Sequence, residues 1–234
     1  MLPLSFSDPL LAVEASTIAG SVALWREGTL VGAESVPMGA GRADQLFPAM
    51  QRLLAVAELH PRQLKGLVCG AGPGSFTSLR IAASLAKGLA HGARCPLYAV
   101  PSLLLAAAAA KDVPPGPYVL HADALRFERY AQAVVQRPDG VWEVAGPLAR
   151  MANESLRIDA LPARRIAVLA SPFADELHVA TPDIALLTRL AGTWRDAPVP
   201  LESWEPTYGR LAEAQVKWEE RAGLPLPETP AVRS

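Results

Sequence analysis

The sequence predicts an α/β chain built from two similar halves, and three observations carry that prediction. Up to about Val100 the chain reads as three short strands, a helix, a strand and a second helix. After Val100 a related pattern starts again. Each half has a strand ending in an acidic residue and alanine, Glu14-Ala15 and then Asp123-Ala124, followed by a turn and a returning strand. Chance similarity between short hairpins is the competing account of this last match.

The elements follow in order. Residues 10–13 are an apolar run closed by the turn-prone Ser16, Thr17 and Gly20. Residues 21–25 and 30–36 are two further strands around a tight turn at Glu27-Gly28, giving an antiparallel meander. Leu46, Met50, Leu53, Leu54 and Ala57 recur at helical spacing and predict an amphipathic helix over about 43–58. A buried strand at 64–69 leads into a glycine loop and a nearly charge-free helix ending near Gly92. A strand at 96–100 and an alanine-rich helix at 103–111 come next, broken by Pro114-Pro115-Gly116. Strands at 118–121 and 128–135 flank a turn at 123–127, and Arg137-Pro138-Asp139-Gly140 closes a hairpin into 141–144. A strand at 165–170, a helix at 182–190 and a final helix at 208–221 with Trp218 on its apolar side complete the order. The expected division is a first domain over 1–100, a smaller second one over 101–223 and a loose tail over 224–234.

Bulk properties exclude several functions. Lys and Arg total 22 against 23 Asp and Glu, a formal charge of −1, so the whole chain has no electrostatic grip on nucleic acid. Arg164-Arg165 reads as solvated surface. No apolar run reaches the ~18 residues of a membrane span, and residues 1–8 lack the basic start of a signal peptide. Cys69 and Cys95 lack metal-ligand spacing, and a reduced cytosolic setting is expected.

The loop Cys69-Gly-Ala-Gly-Pro-Gly-Ser-Phe-Thr77 invites a catalytic reading and resists it. A Walker loop ends in Gly-Lys-Ser/Thr, whereas Gly74 is followed by Ser75-Phe76. A dinucleotide fingerprint counted from Gly70 fails at Ser75. A nucleophile elbow needs glycines where Pro73 and Thr77 stand. Ser75 or Thr77 is better placed to cap the following helix than to act as a nucleophile. The four histidines, His60, His91, His121 and His178, include no pair within one helical turn. His121 and Asp123 share a strand face but read as ordinary strand-end residues. Glu14 and Asp123 are the pair with catalytic potential: across a cleft between two halves they could hold magnesium and a nucleotide. The second turn, Ala124-Leu125-Arg126-Phe127, has no glycine to cradle phosphate, which argues against that site.

The helix after the loop carries two apolar strips. Leu79, Ala82, Ala83, Ala86 and Ala90 form one, and Ile81, Leu85, Gly88, Leu89 and Gly92 the other. One must cover the sheet, and the other is either buried internally or, the favoured reading, left for a partner helix.

Gly72-Pro73-Gly74-Ser75-Phe76-Thr77-Ser78-Leu79-Arg80-Ile81 resembles the signature of the bacterial TsaB (YeaZ) family, with Ser78 where that signature has glycine. Leu11-Ala-Val-Glu-Ala-Ser16 resembles the family's first strand, with Glu14-Ala15 in place of Asp-Thr. Asp123-Ala-Leu-Arg-Phe-Glu-Arg-Tyr130 resembles its Asp-Ala-Arg hairpin, and Pro206-Thr-Tyr-Gly-Arg210 its Pro-x-Tyr-x-Arg. The resemblance implies two ribonuclease-H-like halves of the actin-like ATPase and sugar-kinase fold. It further implies a cytoplasmic, non-catalytic scaffold for making threonylcarbamoyladenosine on tRNA. Such a scaffold would activate a TsaD-like transferase, meet a TsaE-like ATPase in the assembled complex, pair with itself when alone and touch tRNA only indirectly. The chain would bind no cofactor itself, ATP and metal residing on the partner subunits. The family's paired helices put the contact at Leu46, Met50 and Leu53 and at Leu79, Ala82, Ala83 and Ala86. Glu14, Ser16 and Asp123 would then be a vestigial nucleotide site. The alternatives are an active ATPase or kinase of the same fold using Glu14 and Asp123, and a glycoprotease-like peptidase.

Overall fold

A computed structural model describes residues 4–38, 45–124, 127–156, 164–169 and 178–208. Its first sheet begins with β1 (Leu10–Glu14), β2 (Ala19–Arg26) and β3 (Thr29–Pro37), the expected antiparallel meander. The unbroken apolar run of β1 reflects cover on both faces. Leu11 and Val13 enter one hydrophobic cluster and Leu10 and Ala12 another, as the two-residue period of a strand requires. β4 (Gly66–Gly70) lies parallel to β1, and β5 (Leu97–Val100) parallel to β4. The order is β3-β2-β1-β4-β5.

The second sheet contains β6 (Gly116–Asp123), β7 (Glu128–Gln136), β8 (Trp142–Ala152), β9 (Arg164–Val168) and the short β10 (Val179–Ala180). Read from its β8 edge, the order β8-β7-β6-β9-β10 repeats that of the first sheet. The pairings repeat too: two antiparallel, then two parallel. Glu14 and Asp123 end the two equivalent strands, so the duplicated halves are real and chance similarity is set aside.

Three helices define the layers. α1 (Leu46–Val56) and α2 (Phe76–Ala93) cover one face of the first sheet, where Leu46, Met50, Ala82 and Ala86 pack on Leu11, Val13, Leu24 and Leu67. α3 (Ser102–Ala109) lies in a second cluster shared by both sheets, with Leu103, Leu104 and Leu105 fully buried beside Val68, Tyr118 and Ile166. Each such leucine contributes about 1.5–3 kcal/mol of burial. β5 ends at Val100 and β6 starts at Gly116, so the two sheets part here, yet this core passes straight across.

Some elements differ from expectation. β8 runs to Ala152, well past 144, because backbone pairing with β7 holds a mostly exposed edge strand that has little apolar pattern of its own. A short α4 (Asn153–Leu156) follows it. The helix expected at 182–190 is a 3-10 turn, Ile184–Arg189, capped by the Asp183 side chain. The final helix and tail lie outside the described residues beyond Tyr208. Among the described residues no helix is long and apolar enough to cross a membrane.

Candidate functional site

The glycine loop joins β4 to α2 and is filled by the chain's own groups. The Ser75 amide donates to the Ser16 carbonyl at 2.8 Å, and a β-carbon on Gly74 would lie 2.1 Å from that oxygen. The Ser75 hydroxyl accepts from the Ser78 amide at 3.5 Å, making Ser75 rather than Thr77 the cap of α2. Pro73 is buried, Phe76 stacks on Tyr208 with ring centroids 4.6 Å apart, and the Arg80 guanidinium lies over Phe76.

Glu14 is completely enclosed beside this loop. One carboxyl oxygen accepts from the Ser16 amide and the other from the Ser102 hydroxyl at 2.7 Å. Ser102 in turn accepts from the Gly72 amide at 2.9 Å. Burial pushes the Glu14 carboxyl above the usual carboxylate range, against the opposing pull of hydrogen bonds from Ser16 and Ser102. Ser102 is not legible in the sequence as a partner, because no spacing rule joins residues 88 apart.

The pairing of Glu14 with Asp123 is corrected. Asp123 stands at the exposed end of β6, whereas Glu14 is sealed inside. A cleft of about 890 Å³ opens beside β2, β3, β10 and the end of α3, lined among others by Ser21, Glu34, Lys111, Asp112, His178 and Asp183. Neither Glu14 nor Asp123 lines it. His121 is buried and its Nδ1 accepts from Arg129 Nε at 2.6 Å, a structural bond rather than a ligand-like placement. No cluster of three metal-ligating side chains occurs among the described residues.

The residues expected to form the partner contact are not on the surface. Leu46, Met50, Leu53, Leu79, Ala82, Ala83 and Ala86 are all buried within the chain, all but Leu79 in the cluster that packs on the first sheet, so none is free on the surface for a partner. Phe47 and Val56 of α1 are 42% and 75% exposed, and Ile81, Leu85 and Leu89 of α2 are half-buried at the margin of the core cluster. Gly88 and Gly92 lie open on the same side, with nothing within 4 Å of where a β-carbon would sit. Sequence periodicity had named both strips of α2 without telling which one faces the sheet.

A family model described as TsaD, tRNA N6-adenosine threonylcarbamoyltransferase, matches residues 36–170. A protein of Escherichia coli K12 described as tRNA threonylcarbamoyladenosine biosynthesis protein TsaB is 34% identical over 134 residues, 57% of this chain and 58% of that protein. YeaZ from Pseudomonas aeruginosa superimposes with a TM-score of 0.71 at 26% identity, covering 86% of this chain and 99% of that one. The chain belongs to the TsaB (YeaZ) family. An uncharacterized Mycobacterium bovis protein extends the likeness of this TsaB-family chain, at 31% identity over 214 residues, 88% of this chain and 93% of that protein. The match to the Escherichia coli TsaB spans little more than half of that relative's length. The two repeated sheets make this an α/β fold of two similar halves, the fold shared with YeaZ.

Proposed function

We propose that this TsaB-family chain serves tRNA threonylcarbamoyladenosine biosynthesis as a non-catalytic docking subunit for a TsaD-type transferase. The observation that carries the reading is the corner where β1 meets the glycine loop. There the chain's own backbone and Ser102 occupy the donors and acceptors that a nucleotide would need, and Glu14 is out of reach of solvent. The outer face of α1 and α2, with Phe47, Val56, Ile81 and Leu85, supports a helix–helix contact. ATP and metal are then carried by the transferase and by a TsaE-type ATPase, and tRNA is met indirectly. A second copy of the chain takes the same face when the transferase is absent.

Mass spectrometry of tRNA after depletion of the protein tests the role. Loss of threonylcarbamoyladenosine, restored by the wild-type chain but not by Ile81→Glu with Leu85→Glu, is the expected result. Unchanged modification on depletion overturns it.

A further inference from the structure

We propose that Glu14 is the positioning residue of the α2 docking face, and that it acts as a hydrogen-bond hub instead of binding a cation or nucleotide. The inference rests on the docking reading above for its functional consequence, though its structural core stands apart from it. Glu14 closes β1, and its two oxygens reach in two directions. Through the Ser16 amide it fixes the turn whose carbonyl receives the Ser75 amide, the residue that caps α2. Through Ser102 it holds the Gly72 amide, and the Ser102 amide returns a bond to the Gly72 carbonyl at 3.1 Å. The turn that launches α2 is thus tied on one side to β1 and on the other to α3, the helix between the sheets.

The geometry depends on glutamate. The carboxyl occupies the space left by the missing side chain of Gly70, where a β-carbon would sit 1.8 Å from Oε2. An aspartate, one methylene shorter, cannot span the same gap from β1 to Ser102 without moving the backbone. A glutamine can, because the Ser102 hydroxyl turns its hydrogen to serve either an acceptor or an amide donor. Negative charge is therefore dispensable at this position, and length is not.

Hydrogen exchange of the full chain, with and without the cognate TsaD-type transferase, tests this on Glu14→Gln, Glu14→Asp and Ser102→Ala. The amides of Ser75, Ser78 and Leu79 are expected to exchange at wild-type rates in Glu14→Gln. In Glu14→Asp they exchange about tenfold faster, the loss of one buried hydrogen bond, and at least as fast in Ser102→Ala, which removes the bonds of the hydroxyl to both Glu14 and Gly72; transferase affinity falls by a similar factor. Ser102→Ala keeps the test decisive if Glu14→Asp does not fold. Glu14→Gln exchanging as fast as Glu14→Asp overturns the proposal, as does magnesium–ATP binding by the wild type that Glu14→Gln abolishes. If the wild type does not bind the transferase while the exchange pattern holds, the docking reading fails and the hub stands.

Discussion

Leu85 and Ala86 are consecutive residues of α2, about 100° apart around its axis: Ala86 is fully buried in the core, while Leu85 is only half-buried at its margin. Charge placed at the two positions should therefore separate folding from docking. Ala86→Arg puts an unpartnered cation into the core and is expected to cost about 4 kcal/mol or more, enough to unfold the chain in a urea titration. Leu85→Glu should melt within a few degrees of wild type and fail to co-elute with the transferase on size exclusion.

Two glycines should respond to alanine with opposite signs. Gly70→Ala drives a methyl into Oε2 of Glu14 and is expected to destabilise by about 2 kcal/mol. Gly88→Ala meets nothing within 4 Å and stiffens a helix interior, so it should stabilise by about 0.5–1 kcal/mol. Denaturant midpoints of the two variants measure both.

The buried Glu14 carboxyl gives a signed pH dependence. Its value in the folded chain lies above the ordinary 4.5, so within that window the native state holds a proton that the unfolded chain has released. The stability this supplies is complete below the ordinary value and is lost as pH rises through the folded one. Glu14→Gln has no such proton. Wild-type melting temperature should fall relative to Glu14→Gln as pH is raised from 4.5, and parallel curves for the two proteins would contradict this.

Both thiols should be silent in the native state. Burial pushes Cys95 up to about 11 and Cys69 higher still, with the nearby Glu14 adding to the latter. Ellman's reagent at mildly alkaline pH should leave both unreacted over the time in which denatured chain titrates two thiols.

Much of the fold was legible because its signals are local. The apolar run of β1, the turn at Glu27-Gly28 and the Ser75 cap each depend on residues close in sequence, and each sits where expected. The duplication was visible from two short acidic strand ends and became certain only through matching strand order. The functional corner was less legible because it is made by distant partners. From sequence Glu14 reads at most as part of a vestigial nucleotide site, and only Ser102 and the gap at Gly70 show where its oxygens go. The inward strip of α2 is hard to choose from sequence for a related reason. Periodicity gives two apolar stripes on α2, and only the position of the sheet decides that Ala82, Ala83 and Ala86 turn inward.

α3 has one further consequence. Its buried leucines and alanines are shared between both sheets, so neither half owns a complete interior. Melting should accordingly be a single calorimetric endotherm, with the van't Hoff and calorimetric enthalpies in agreement. A chain severed after Val100 would leave Ala12, Ala23, Val68 and Tyr98 with no cover, and the fragment should aggregate instead of standing alone. What duplication made in two copies, this one helix has fused into a single cooperative unit.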